Sequence, residues 1–208
     1  MKWRWLWLWL FLVSGAIWLT ILLSFLLFPA FVRLDSLTSV SGLSAHTLYV
    51  NYVKLMAYLH LPWITQLHLP DFAVSVHGAH HFADVKRLFL LDIVICLVTA
   101  PVALRFLAHL RATRTRWHLV RPFEIGAVAP LVLGGLMSIN FDAVFIGFHK
   151  LMFRNNDWLF DPTADPIILV LPEDFFLACF ALALLAFEAL MVYGIVTGRR
   201  DARNTKNV

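Results

Sequence analysis

Four apolar blocks, at 6–31, 88–107, 125–146 and 175–196, limit what this chain can fold into more than any other feature of its sequence. Each approaches the roughly 20 residues with which a helix crosses about 30 Å of hydrocarbon. In that solvent a backbone N–H or C=O finds no water, so a single segment of this length spans as a helix. Hydrophobic residues make up 61% of the 208 and charged residues only 14%, an excess that a soluble core does not account for. The expected fold is therefore an all-α membrane protein with four transmembrane helices, forming a single integral membrane domain over 1–208. The first block follows Lys2 and Arg4 as a signal peptide would, but it is long and lacks a small-x-small cleavage site. It is expected to remain as an uncleaved anchor.

The basic residues choose an orientation. They gather at the start (Lys2, Arg4), in the second connection (Arg105, Arg111, Arg114, Arg116, Arg121) and in the tail (Arg199, Arg200, Arg203, Lys206). The positive-inside rule puts both termini and the second connection in the cytoplasm. The first and third connections are then extracytoplasmic: a cap segment at 32–86 and a second outer segment at 147–174. A net charge of +4 is explained by this topology and by attraction to anionic lipid, and no basic face suited to nucleic acid is present. Cys96 and Cys179 lie inside apolar blocks and read as small buried hydrophobes, not as a disulfide pair.

Within the cap, Ser44 is placed to start a helix whose Leu48, Tyr52, Leu55 and Leu59 recur on one face. Pro62 and Pro70 interrupt the apolar material beyond that helix, and FAVSV at 72–76 is compatible with a short strand. Interfacial helices joined by irregular connections are the alternative. From His80 onward a helix would bring His80 and His81 to Asp84 at i+4 and i+3, where the carboxylate could fix an imidazole tautomer. In the third block Gly134 and Gly135 permit close helix packing. Asp142, His149 and Asn156 are each seven residues apart and would share a face if one helix ran through them, with Phe145 and Phe153 four residues either side of His149.

The stretch VFIGFHKLMFRNNDWLFDPTADPIILVLPEDFF at 144–176 leaves one apolar block and enters another. Ionisable groups at such a crossing are costly unless paired or used. His81 and His149 fall on the same outer side, and two histidines can divide acid and base work without a serine or cysteine nucleophile. G-x-S-x-G is absent. Capping and aromatic anchoring explain the same residues without catalysis. A metal site drawn from His77, His80, His81, His149, Asp84 and Asp161 is a third reading, although H-E-x-x-H is absent.

His81-x-x-Asp84-Val85-Lys86, together with Phe148 and His149, Phe153, Asn155 or Asn156, Trp158, Asp161 and Pro162, and LPEDFF at 171–176, resembles the bacterial lipoprotein intramolecular transacylase family. The resemblance extends over the four-span arrangement, and Phe82 stands where methionine is expected. It implies an extracytoplasmic cap over four helices in the bacterial cytoplasmic membrane. The implied reaction moves the sn-2 acyl chain of a diacylglyceryl-modified N-terminal cysteine to that cysteine's own amine. The implied catalytic residues are His81 and His149, with the division of roles left open. Asp84, Asp142, Asn155, Asn156 and Asp157 are expected to support them, and Phe145, Phe148, Phe153 and Trp158 to hold substrate and exclude water. No cofactor and no metal is expected. The expected partners are a diacylglyceryl-modified lipoprotein and membrane lipid, with no nucleic acid and no obligate protein partner.

Overall fold

The protein is described from a computed structural model that covers residues 2–206, with side chains from 3 to 204. The side chains of Lys2 and Lys206, which enter the charge argument, lie outside the described residues. The chain forms α1 (Lys2–Leu34), α2 (Leu37–Ser41), α3 (Ala45–His60), α4 (Val76–Ala112), α5 (Val120–Gly126), α6 (Val128–Ile139), α7 (Phe141–Met152) and α8 (Glu173–Lys206). Short 3₁₀ turns occupy Arg116–Leu119 and Pro166–Val170.

Four helical stretches are long and apolar enough to cross a membrane: Trp3–Leu34, Val76–Ala112, Arg116–Ile139 and Glu173–Asn204. Only 28, 17, 17 and 11% of their most apolar windows is buried within the protein. Apolar surface exposed on that scale calls for a hydrocarbon solvent, so the chain is a multi-pass integral membrane protein.

The chain divides into two compact units, to both of which α1, α4 and α8 contribute. One unit comprises Met1–Thr20, Asp92–Asn140 and Phe180–Val208. Its core is built on Leu8, Leu12, Ala103, Phe106, Leu110, Phe123 and Met191. Trp9 packs 5.5 Å from the Phe123 ring, and Phe123 also lies on Gly194, where a Cβ would overlap it. The Arg116 guanidinium donates through two nitrogens to the Asp201 carboxylate at 2.8 Å each, and Arg199 donates to Glu124 at 2.8 Å. Gly134 and Gly135 do not mark a tight contact: a Cβ on the first would meet only Leu184, at 3.9 Å, and one on the second would meet nothing within 4 Å.

The other unit comprises Ile21–Leu91 and Phe141–Cys179. Ser44 starts α3 as expected, its Oγ accepting from the Thr47 N–H at 3.1 Å. The face of Leu48, Tyr52, Leu55 and Leu59 is buried. The Tyr52 ring stacks on Phe28 at 4.2 Å with Phe175 edge-on to both, and the Tyr52 hydroxyl meets Ser24 Oγ at 2.5 Å.

Two local expectations need correction. FAVSV forms no strand, and none occurs among the described residues; α2 and α3 with irregular connections build this segment instead. A strand needs a ladder partner, and here the Asp71 N–H goes to Asn51 while Ser75 is engaged by Asp165. The third apolar block is also not one rod. At Asn140 the backbone turns extended (φ −158°, ψ 95°), which ends α6, and α7 starts at Phe141.

Candidate active site

The second unit brings His81 and His149 together. His81 lies near the start of α4 and is 6% exposed; His149 lies in the last turn of α7 and is 9% exposed. Their ring centroids are 5.8 Å apart. A histidine that is almost wholly covered needs a reason to be there, because most of its polar edge is cut off from water.

The two rings are held differently. His149 Nδ1 donates to the Phe145 carbonyl at 2.8 Å. A carbonyl can only accept, so the proton sits on Nδ1 and the lone pair on Nε2. Burial holds the His149 imidazole below its ordinary value, and the Phe145 hydrogen bond offsets this only in part. The resting ring at neutral pH is therefore an uncharged base. His81 Nδ1 is buried and has no hydrogen-bond partner among the described residues.

Aromatic rings enclose the pair. Phe145 lies 4.1 Å, Trp158 5.0 Å, Phe148 5.5 Å and Phe153 5.6 Å from the His149 ring. Phe153 also meets the His81 ring edge-on at 4.9 Å. The expected substrate-binding residues thus all touch His149. Phe160 was not singled out from the sequence, yet it lies edge-on to His81 at 5.4 Å and packs on Phe82 at the same distance. Its position in WLFDP, between Trp158 and Asp161, was the available signal.

The polar residues take partners that local spacing did not foretell. Asp84 does not hydrogen-bond to His80 or His81 in the described structure. Its carboxylate accepts from Arg87 at 2.6 Å and from Asn155 Nδ2 at 3.0 Å. The Asn155 carbonyl in turn accepts from Trp158 Nε1 at 3.0 Å, so Asp84 holds the turn that sets Trp158 beside His149. Asp157 meets His77 Nδ1 at 2.6 Å and His80 Nδ1 at 3.7 Å. His80 is therefore drawn outward to Asp157 while its neighbour His81 turns inward. Among the described residues, no group of three or more His, Cys, Asp or Glu side chains is placed to hold a metal ion.

Asp142, His149 and Asn156 do not share one helix, because α7 ends at Met152 and Asn156 falls in the turn beyond it. Past that end the Asn155 side chain accepts from the Asp157 N–H at 3.2 Å, a local bond that competes with helix at 155–157. Asp142, at the opposite end of α7, interacts with the Glu173 carboxyl.

A clamp in the same unit was not anticipated. Asp165 is 2% exposed and accepts from the Ser75 N–H at 2.7 Å and the Ser75 hydroxyl at 2.6 Å. Ser75 Oγ accepts from the Gly78 N–H at 2.9 Å and so caps α4. A Cβ at Gly78 would overlap the Asp165 carboxylate. Lys86 secures the same helix about two turns further on: its ammonium donates to the Leu61 and Ile64 carbonyls and lies 4.4 Å over the Tyr58 ring. Together these contacts fix the end of α4 that carries His81.

The family described as lipoprotein intramolecular transacylase Lit matches residues 3–176 of this chain. Among solved structures, the membrane integral lipoprotein intramolecular transacylase Lit from Bacillus cereus is similar with a TM-score of 0.84 and 26% identity, covering 96% of each chain. A form of that protein with a histidine replaced by arginine gives a TM-score of 0.78 at 24% identity, over 99% of this chain and 93% of that one. A form with a histidine replaced by alanine gives 0.73 at 26%, over 96% and 94%. A comparison with curated protein sequences gave no match. By a family match that spans most of its length and a shared fold, the chain belongs to the lipoprotein intramolecular transacylase Lit family and is a membrane-integral acyltransferase acting on lipoproteins.

Proposed function

We propose that His81 and His149 carry out this acyl transfer between two groups of one substrate molecule, a diacylglyceryl-modified N-terminal cysteine. The sn-2 chain moves to the α-amino group and leaves an N-acyl lyso-lipoprotein. The observation that carries this reading is the buried pair of imidazoles, centroids 5.8 Å apart, inside a shell of aromatic rings.

His149 is the base. Its Nδ1 proton is engaged by the Phe145 carbonyl, which leaves Nε2 to accept. The cysteine ammonium first loses one proton to solvent. As the amine nitrogen bonds to the sn-2 ester carbonyl carbon, Nε2 takes its second proton. His81 hydrogen-bonds to the charge developing on the ester oxygens. When the C–O bond breaks, His81 delivers a proton to the sn-2 oxygen, and the proton collected by His149 restores it. Ammonium and ester become amide and alcohol, with one proton released overall. Because amine and ester belong to one molecule, the translational cost of bringing them together is already met.

Phe145, Phe148, Phe153 and Trp158 keep water from competing with the amine. Asp84 and Asn155 position Trp158 through their chain of hydrogen bonds, and Asp157 steadies the start of α4 through His77. The segments 32–86 and 147–174 form the extracytoplasmic part, with both termini cytoplasmic. Purified protein in a membrane mimic is expected to convert a diacylglyceryl-cysteine lipopeptide into a product of unchanged mass. Tandem mass spectrometry should locate one acyl chain on the cysteine nitrogen, and acetylating that amine beforehand should stop the reaction. Release of free fatty acid in place of the isomer would contradict this reading.

A further inference from the structure

In the unit formed by Met1–Thr20, Asp92–Asn140 and Phe180–Val208, a recess of about 360 Å³ is lined by Arg4 of α1 and by Val102, Arg105 and His109 of α4. Positions 102, 105 and 109 recur at helical spacing, so α4 turns one valine and two nitrogen-rich side chains toward Arg4. The helices are locked beside the recess by Trp5, edge-on to Phe106 at 5.5 Å, and by the buried Leu8 and Ala103. The recess is thus framed by packed core and not by mobile loops.

Neither Arg4 nor Arg105 has a carboxylate or hydrogen-bond partner among the described residues, whereas nearby basic residues of the same unit do. Asp201 is taken by Arg116, and Glu124 by Arg199 and Arg121. Two guanidinium groups on facing helices suit a phosphate, whose oxygens accept paired N–H donors in a fixed fork. Nothing acidic lines the recess to repel an anion.

The surroundings choose the kind of phosphate. Trp7 and Phe11 on α1, three and seven residues past Arg4 on its side of the helix and half-buried, and Val98 on α4, one turn from Val102 and 55% exposed, continue from the recess along the apolar spans. Trp3, beside Arg4, is 75% exposed, as aromatic residues are at the headgroup boundary. We propose that this recess binds the phosphodiester headgroup of an anionic phospholipid, with the acyl chains lying along the apolar faces of α1 and α4 that continue from it. Arg4 and Arg105 hold the phosphate, and His109 adds a third donor.

The test is native mass spectrometry of the full chain released from detergent after incubation with phosphatidylglycerol, phosphatidylcholine or inorganic phosphate. Wild type should retain phosphatidylglycerol in preference to phosphatidylcholine, and inorganic phosphate should not displace it. The double variant Arg4→Gln/Arg105→Gln should lose retention at least tenfold while melting, without added lipid, at the wild-type temperature. If it does not fold, each single variant should show a smaller loss in the same direction. Arg111→Gln, which removes a charge elsewhere on α4, should bind as wild type does. Equal loss in Arg111→Gln, or unchanged retention in the arginine variants, would overturn the site. Displacement by inorganic phosphate would identify a free-phosphate site and overturn the lipid assignment.

Discussion

A histidine that donates through Nδ1 to a carbonyl is a different reagent from one whose Nδ1 has no such partner, and His149 and His81 differ in this way. The His149 base works only when neutral, and burial lowers its pKa from the ordinary 6.5. A lowered pKa keeps the neutral form present further into acid, so once the ionisation of the substrate amine is divided out, kcat/KM should hold through neutral pH and fall only below the usual imidazole range. A second acid limb above 6.5, beyond the one that the substrate amine accounts for and absent from the amine's own titration, would contradict the assignment of His149 as that base. The two histidines and their aromatic neighbours were legible because they sit in short runs of distinctive residues. The partner of Asp84 was not. Local spacing offers His81 at i−3, but Asn155 arrives from 71 residues away and takes one carboxylate oxygen.

Among the elements, α4 depends most on a contact distant in sequence. Asp165 reaches Ser75 across 90 residues, and Gly78 leaves just enough room for its carboxylate. Gly78→Ala should force the carboxylate aside, a form of overpacking that costs about 1–3 kcal/mol. At about 2–4 °C per kcal/mol for a chain of this size, the Tm in detergent should fall by several degrees. Gly135→Ala, whose new Cβ meets nothing within 4 Å, should leave the Tm unchanged or raise it. Equal falls in both variants would count against the clamp. The start of α3 was readable at Ser44 because a cap and its first turn are neighbours in sequence. The break at Asn140 was not, since the polar residues Ser138, Asn140 and Asp142 alternate with apolar ones between two apolar runs, which read together as one block. FAVSV misled for a related reason: alternation describes one segment, while a strand requires a second.

At the level of the whole chain, hydropathy gave the four spans and the basic clusters gave an orientation. Cysteine labels at 71 and 163 should react from outside intact cells, and labels between 111 and 116 should react only after permeabilisation. Cys96 and Cys179 are free and should first be replaced. Labelling of positions beside His81 and His149 from opposite sides would break the shared site. The reaction itself is tested most directly by mixing two diacylglyceryl lipopeptides whose peptides and acyl chains carry different isotopic labels. Each N-acylated product should keep the chain with which its own peptide began, and folded His81→Ala and His149→Ala proteins should each form it about 10²–10⁴ times more slowly. Chains scrambled between peptides, or histidine variants that work at the wild-type rate, would contradict an intramolecular transfer carried by this pair.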